Sequence, residues 1–301
     1  MNELRKFSFV FVCQSGDLEV KALLLAASLR KNLRCEHELV AAIPGPVGSW
    51  GKPANATLSL LKRMGVRLVD IENGVDPSFS HANKISCMAI ATEADKRVFL
   101  DTDMLCLRPF RDESRFGAAI SCKPADLQTF SSDEADWARV YETVGVPMPD
   151  ERIAATSSQE LGPPYFNSGF IAIDRDLPLA AKWLDFARKI FANEAISSRR
   201  LWSDQVSFPP ALAALKLRCD CLDERYNHPT HLKSIDPDAL PFFSHYHWPA
   251  IILKEPPLRE LVSDLIAEFP EILAVMRSQA EWCELADCLL EWQREPVPTL
   301  A

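Results

Sequence analysis

Two carboxylates one residue apart, Asp101 and Asp103, follow the apolar run Val98-Phe99-Leu100. A strand predicted over Arg97 to Asp101 delivers them to the chain just past its carboxyl end, and residues two apart in an extended chain face the same way. Such a pair makes half of a divalent-cation site. Open α/β sheets bind ligands at this edge, so a cation there would hold a diphosphate. The plainer alternative is a polar strand exit with Asp101 capping a turn. A second pair, His245 and His247, lies two apart in the β-like run Phe242-Phe-Ser-His-Tyr-His-Trp248, and extended geometry would turn both imidazoles to one face. Two carboxylates plus one imidazole suit Mn2+, with Mg2+ as the second choice.

Further polar residues stand at the ends of apolar runs. In Phe166-Asn167-Ser168-Gly169, Asn167 can both donate to and accept from ligand hydroxyls while Gly169 lets the backbone approach; a simple turn is the alternative. Asp204 and Gln205 follow Leu201-Trp202, where Ser203 or Asp204 could instead cap a helix. Other chemistries fail on spacing. No GxGxxG follows the first strand, and Gly45 to Lys52 misses a P-loop by one residue with Pro53 at the hydroxyl position. Cys219, Cys221, His228 and His231 hold metal-competent atoms, but Cys-x-Cys is poor zinc spacing.

The elements that must position these residues alternate as strands and crossover helices do in a largely parallel sheet. Strands are predicted at Phe7 to Cys13, Glu38 to Ala42, Val66 to Asp70 and Arg97 to Asp101, with helices at Glu19 to Lys31, Ala54 to Met64 and Asn83 to Ala94. A polar segment from Asp112 to Pro164 then interrupts the pattern, where a substrate-facing insertion would sit. Phe166 to Ile173 reads as a strand, Leu179 to Asn193 as a helix, Leu217 to Cys221 and Phe242 to His247 as short strands. From Pro256 the pattern is helical, over Leu258 to Phe269 and Ile272 to Trp292. The expected organisation is a catalytic domain over 1–255 and a helical appendage over 256–301, the latter a candidate partner or dimer surface.

Composition removes several classes. At 301 residues and a formal charge of −9, the chain offers no overall attraction to nucleic acid, and no apolar run approaches the roughly 20 residues of a membrane span. Nine cysteines, an odd number and mostly within apolar stretches, point to a reducing compartment, the cytoplasm. Gln14, Asp17 and Glu19 break the first apolar run, so it reads as a strand and not as a signal peptide.

The motifs also occur in a telling order: Asn83-Lys84, Asp101-Thr102-Asp103, Leu107-Arg-Pro-Phe110, Tyr165-Phe-Asn167-Ser168-Gly169-Phe170, Ser203-Asp204-Gln205, Tyr226-Asn227 and His245-Tyr-His247. Over residues 7 to 250 this succession resembles the GT-A glycosyltransferases of family 8, the glycogenin and bacterial lipopolysaccharide galactosyltransferase group. The resemblance implies an α/β fold of GT-A type, a Rossmann-like mixed sheet, and a UDP-sugar as donor with retention at the anomeric carbon. It implies that Asp103 grips the metal most fully while Asp101 shares the metal and the ribose side. Lys84 would hold phosphate or a metal carboxylate, and Thr102, Asn167 and Ser168 would contact the donor. Asp204 and Gln205 would lie beneath the sugar ring, and Cys13, Gln14 and Ser15 would bound the uridine. His245, nearer the apolar Phe242-Phe243 pair, is the expected ligand, with His247 behind it or against the phosphates. Lys254 comes several residues too late for the family's diphosphate lysine. The acceptor, whether glycan, protein or small molecule, is left open.

Two other readings remain from sequence. A strand followed by Asp-Thr-Asp also suits a phosphatase of the haloacid dehalogenase type, although that motif normally opens its domain. A non-catalytic sugar-nucleotide-binding scaffold would keep the same fold.

Overall fold

The structure, a computed structural model, describes residues 6–111 and 118–294. The basic start, the first residues of the polar segment (112–117) and the end of the tail (295–301) lie outside the described residues. The chain begins β1 (Phe7–Val12), α1 (Asp17–Asn32), β2 (His37–Gly45), α2 (Val47–Trp50), α3 (Asn55–Arg63), β3 (Val66–Glu72), α4 (Ala82–Cys87), β4 (Lys96–Leu100), β5 (Met104–Cys106) and β6 (Ile120–Pro124). It continues through α5 (Glu134–Val144), β7 (Ile153–Ala154), β8 (Leu161–Gly162), β9 (Phe166–Asp174), α6 (Leu179–Ala192), α7 (Arg199–Ala214), β10 (Asp220–Cys221), β11 (His228–Pro229) and β12 (Phe243–His245). Four helices follow: α8 (Pro249–Lys254), α9 (Pro256–Glu268), α10 (Glu271–Arg277) and α11 (Cys283–Arg294).

Seven strands form one mixed sheet in the order β10-β6-β9-β4-β1-β2-β3. The strands β4, β1, β2 and β3 run parallel, while β9 runs antiparallel between β4 and β6. β1 is buried along its whole length because helices cover both faces of the sheet, and its Phe-Ser-Phe-Val-Phe-Val sequence shows the unbroken apolar character of such a strand. On one face β1 and β4 pack with α1 and α9–α11; on the other they pack with α4, α6 and α7. In α1, twelve of sixteen residues are buried, including apolar residues all round the helix. That burial follows from its place between the sheet and the C-terminal helices, since Leu258, Val262, Leu265 and Ile272 join the same core as Leu23 to Leu25.

Several elements differ from the sequence expectation. The helix expected over Asn83 to Ala94 stops at Cys87, because Met88 and Ile90 give their carbonyls to the Arg97 guanidinium at 2.6 Å each and the chain turns there. The strand over Phe242 to His247 ends at His245; His247 adopts φ 59°, a left-handed conformation that takes it out of the strand. Only Asp220–Cys221 of the run Leu217 to Cys221 is extended. The polar segment holds β6 and α5, and Ile272 to Trp292 divides into α10 and α11 around a 3-10 turn, Ala280–Trp282. Helix α7, where the sequence predicts no element, carries Asp204 and Gln205 in its interior and not at a cap, and its Pro209-Pro210 pair removes two main-chain donors.

Candidate active site

The carboxyl end of β4 is the organising point. After Leu100 the chain leaves the main sheet through Asp101-Thr102-Asp103 and enters β5, which pairs with β12 in a separate three-stranded sheet with β11. In that pairing Met104 lies opposite His245, so the register sets His245 beside Asp103 across 142 positions of sequence. Thr102 anchors the turn by donating to the Val12 carbonyl at 2.8 Å, and the Asp101 amide donates to the Gly169 carbonyl at 2.8 Å. A Cβ at Gly169 would stand 3.0 Å from the Asn167 and Asn227 side chains and 3.1 Å from that of Asp101, so any side chain there would press on all three polar groups.

Three potential ligands converge. His245 Nε2 lies 2.9 Å from Asp103 Oδ1 and His247 Nδ1 lies 3.5 Å from Oδ2, and donor atoms of the three residues fall within 4.8 Å of one another. His245 Nδ1 meets Asn227 Oδ1 at 3.2 Å, which orients the ring. Burial opposes the charge of Asp103, but His245 outweighs it and holds the carboxyl well below the usual range. Burial likewise opposes charging His245, and Asp103 reverses that and raises its pKa. Burial and then the neighbouring His245 push His247 down. His231 packs edge-on to His247 at 4.2 Å between ring centres, and burial together with His247 and His245 presses its pKa to about 4. One carboxylate and two imidazoles of matched reach are a donor set that fits a divalent ion of intermediate hardness.

Asp101 is engaged differently. Its carboxylate meets Lys84 at 3.2 Å, and Lys84 also meets Asp204 at 3.1 Å and Ser168 Oγ at 3.1 Å. Burial works against the ammonium, yet Asp101 and Asp204 overcome it and raise its pKa, so Lys84 is charged at neutral pH. The cation thus ties α4, β4, β9 and α7 together. Ser168 completes the knot by donating to Asp204 at 3.2 Å, and the Asp204 carbonyl accepts from Trp183 Nε1 at 2.7 Å.

Lys84, Asp101, Asp103, Ser168, Asp204, His245 and His247 line a cleft of about 520 Å³, which also contains Gln14, Thr102, Asn167, Gln205 and His231. Gln14 accepts from Asn83 at 3.4 Å. The cleft wall does not include Cys13 or Ser15: the Cys13 thiol is buried in the core, where desolvation and Glu19 raise its pKa, and Ser15 stands against Gly51. Lys254 ends α8 away from the cleft lining. Asp126 is a site residue that sequence reasoning missed. It lines the cleft, accepts from Asn167 Nδ2 at 2.8 Å and Thr156 at 3.1 Å, and is paired with the fully buried Lys123. Its only signal was a position shortly after the unrecognised strand β6. His231 was weighed only with Cys219, Cys221 and His228 as a zinc set; among the described residues the one metal-competent cluster is Asp103, His245 and His247.

A family profile described as the Rhodobacterales glycosyltransferase domain matches residues 9–216. The chain belongs to this family. A search of curated proteins by sequence finds no match. Among solved structures, the fold is similar to galactosyltransferase LgtC in complex with donor and acceptor sugar analogs, at 14% identity, TM-score 0.51, covering 81% of this chain and 88% of that one. Mouse xyloside xylosyltransferase 1 in its apo form aligns at 14% identity, TM-score 0.47, covering 80% of this chain and 98% of that one. The enzyme is a glycosyltransferase of GT-A fold, with C-terminal helices, and the resemblance to family 8 drawn from motif order holds. The phosphatase and scaffold readings fall with that membership.

Proposed function

We propose that the enzyme moves a sugar from a UDP-sugar to an acceptor hydroxyl with a divalent cation, Mn2+ before Mg2+, and with retention at the anomeric carbon. The observation that carries this reading is the convergence of Asp103, His245 and His247 at the carboxyl end of β4, inside the cleft. These three residues would hold the cation, and when bound it supplies Lewis-acid stabilisation of the charge on the departing diphosphate. Lys84 fixes Asp101 at the ribose side and adds positive potential beneath the phosphates. Gln14 bounds the nucleoside end with Thr102 near it.

Asp126 orients Asn167 for the donor sugar's hydroxyls. Asp204 is buried against Lys84 and Ser168 and positions both; Gln205, half-buried in the cleft, is the member of the pair that approaches the anomeric carbon. The acceptor oxygen bonds to that carbon on the face from which the diphosphate leaves. The carbon–oxygen bond to phosphate breaks, and the acceptor proton passes to the departing phosphate oxygen. The cysteines, most of them within apolar stretches of the sequence, support the cytoplasm as the compartment. No helix among the described residues is long and apolar enough to cross a membrane.

The test is UDP release from a panel of UDP-sugars with and without Mn2+, alongside Asp103→Asn. Release that needs Mn2+ and falls at least a hundredfold in the folded variant is the expected result. Equal release with EDTA would refute the metal-dependent reading.

A further inference from the structure

The cleft has a polar floor and an apolar lip. Three of its lining residues are large apolar side chains open to solvent: Leu201 at 60%, Leu232 at 46% and Leu127 at 38% exposure. Each stands beside a polar residue of the floor in the chain. Leu127 follows Asp126, Leu232 follows His231, and Leu201 with the half-buried Trp202 precedes Asp204 and Gln205. Four other large apolar side chains are exposed among the described residues: Val47, Leu161 and Trp292 outside the cleft lining, and Trp248, which sits next to His247 with its ring 6.0 Å from His231. Exposed apolar surface concentrated around a polar site marks a ligand surface.

The nucleotide-sugar does not explain the lip. Its phosphates, ribose and hydroxyls match the carboxylates, amides and imidazoles of the floor, and leucines at the mouth offer such groups nothing. The acceptor must enter through this mouth to reach the anomeric carbon. We infer that the acceptor is amphiphilic, a hydroxyl-bearing head group carried on an alkyl chain, with the head group on the floor and the chain against Leu127, Leu201, Trp202 and Leu232. Ser80, His81 and Thr129, on the same walls, are placed to hydrogen-bond the head group. This inference rests on the proposed donor site, since that site defines which substrate is left to fill the mouth.

Calorimetric titration of methyl and octyl β-D-glucopyranoside, the latter below its micelle concentration and both with UDP and Mn2+ present, isolates the chain from the head group. Octyl glucoside should bind about tenfold tighter or better, what burying about two methylenes supplies. The exposed-residue variant Leu201→Ser/Leu232→Ser should lose most of that preference and keep wild-type affinity for UDP with Mn2+. Equal affinity for the two glycosides overturns the inference, and so does a preference that survives in the variant, which would put the chain elsewhere. Wild-type protein that keeps the variant-sensitive preference but binds no UDP with Mn2+ would overturn the donor reading alone.

Discussion

At the scale of single residues, the site is a competition for Asp103. Two imidazoles face one carboxylate, His245 at 2.9 Å with its other nitrogen on Asn227, and His247 at 3.5 Å from a left-handed backbone position. The better-oriented ring should be the stronger ligand. His245→Ala is therefore expected to weaken Mn2+ binding by more than about 10- to 100-fold, the range for losing only a ligand's hydrogen-bond partner, with His247→Ala weakening it less. Titration of each variant with Mn2+ in the presence of UDP decides the order, and a larger loss for His247→Ala reverses it. Asp101, by contrast, shares Lys84 with Asp204. Replacing the ammonium by Lys84→Met leaves two carboxylates without their shared cation, one of them buried. Loss of stability on the order of 3–5 kcal/mol by urea unfolding is expected, because breaking a buried pair strands a charge.

At the scale of elements, the arrangement depends on strands delivered in the right order and held at their ends. Glu38 at the start of β2 bonds Thr92 ahead of β4 and meets Arg67 of β3 at 3.1 Å, clamping three neighbouring segments. Burial pulls its pKa up, but Thr92 and Arg67 outweigh that and hold it below the usual 4.5. A carboxylate with a depressed folded-state pKa stabilises fully above the unfolded value, and the contribution is lost as pH falls through the folded one. Glu38→Gln should therefore lower the melting temperature at pH 7, by the small amount expected of an exposed pair worth under about 1 kcal/mol. The gap to wild type should close as pH is lowered from 5 towards 3, and a gap that widens in acid would contradict the assignment. The β5–β12 pairing is the other decisive element contact, since a register slip of one residue would turn His245 away from Asp103.

At the scale of the whole molecule, Trp282 links the C-terminal helices to the loops of the site. Trp282, fully buried in the turn before α11, donates to Asp17 Oδ1 at 2.5 Å and packs edge-on against Tyr246, which is itself buried between the two site histidines in sequence. Asp17 opens α1 directly behind the Gln14 loop. Trp282→Phe keeps a ring against Tyr246 but removes the buried hydrogen bond. It should cost about 1–3 kcal/mol and loosen both loops, so that Mn2+ and UDP affinities fall together. Equal affinities in wild type and Trp282→Phe would reduce Trp282 to packing alone.

Local pattern and composition carried the parallel strands β1 to β4 and the pair Asp101/Asp103. An apolar strand buried on both faces and a carboxylate at its end are facts of neighbouring residues. Motif order carried the family. Tertiary structure alone decided how these residues are partnered. Lys84 pairs with Asp101, His247 joins the cluster from outside its strand, and Asp126 follows a strand whose apolar run is broken by Ser121 and Lys123. The same holds for α7, where the sequence predicts no element, and for the burial of α1. Pro209-Pro210 is tolerated, and all-round apolarity required, only because neighbours far away in sequence pack there. Distances between residues such as Asp103 and His245 are fixed by strand register and packing, which no local stretch of the chain encodes.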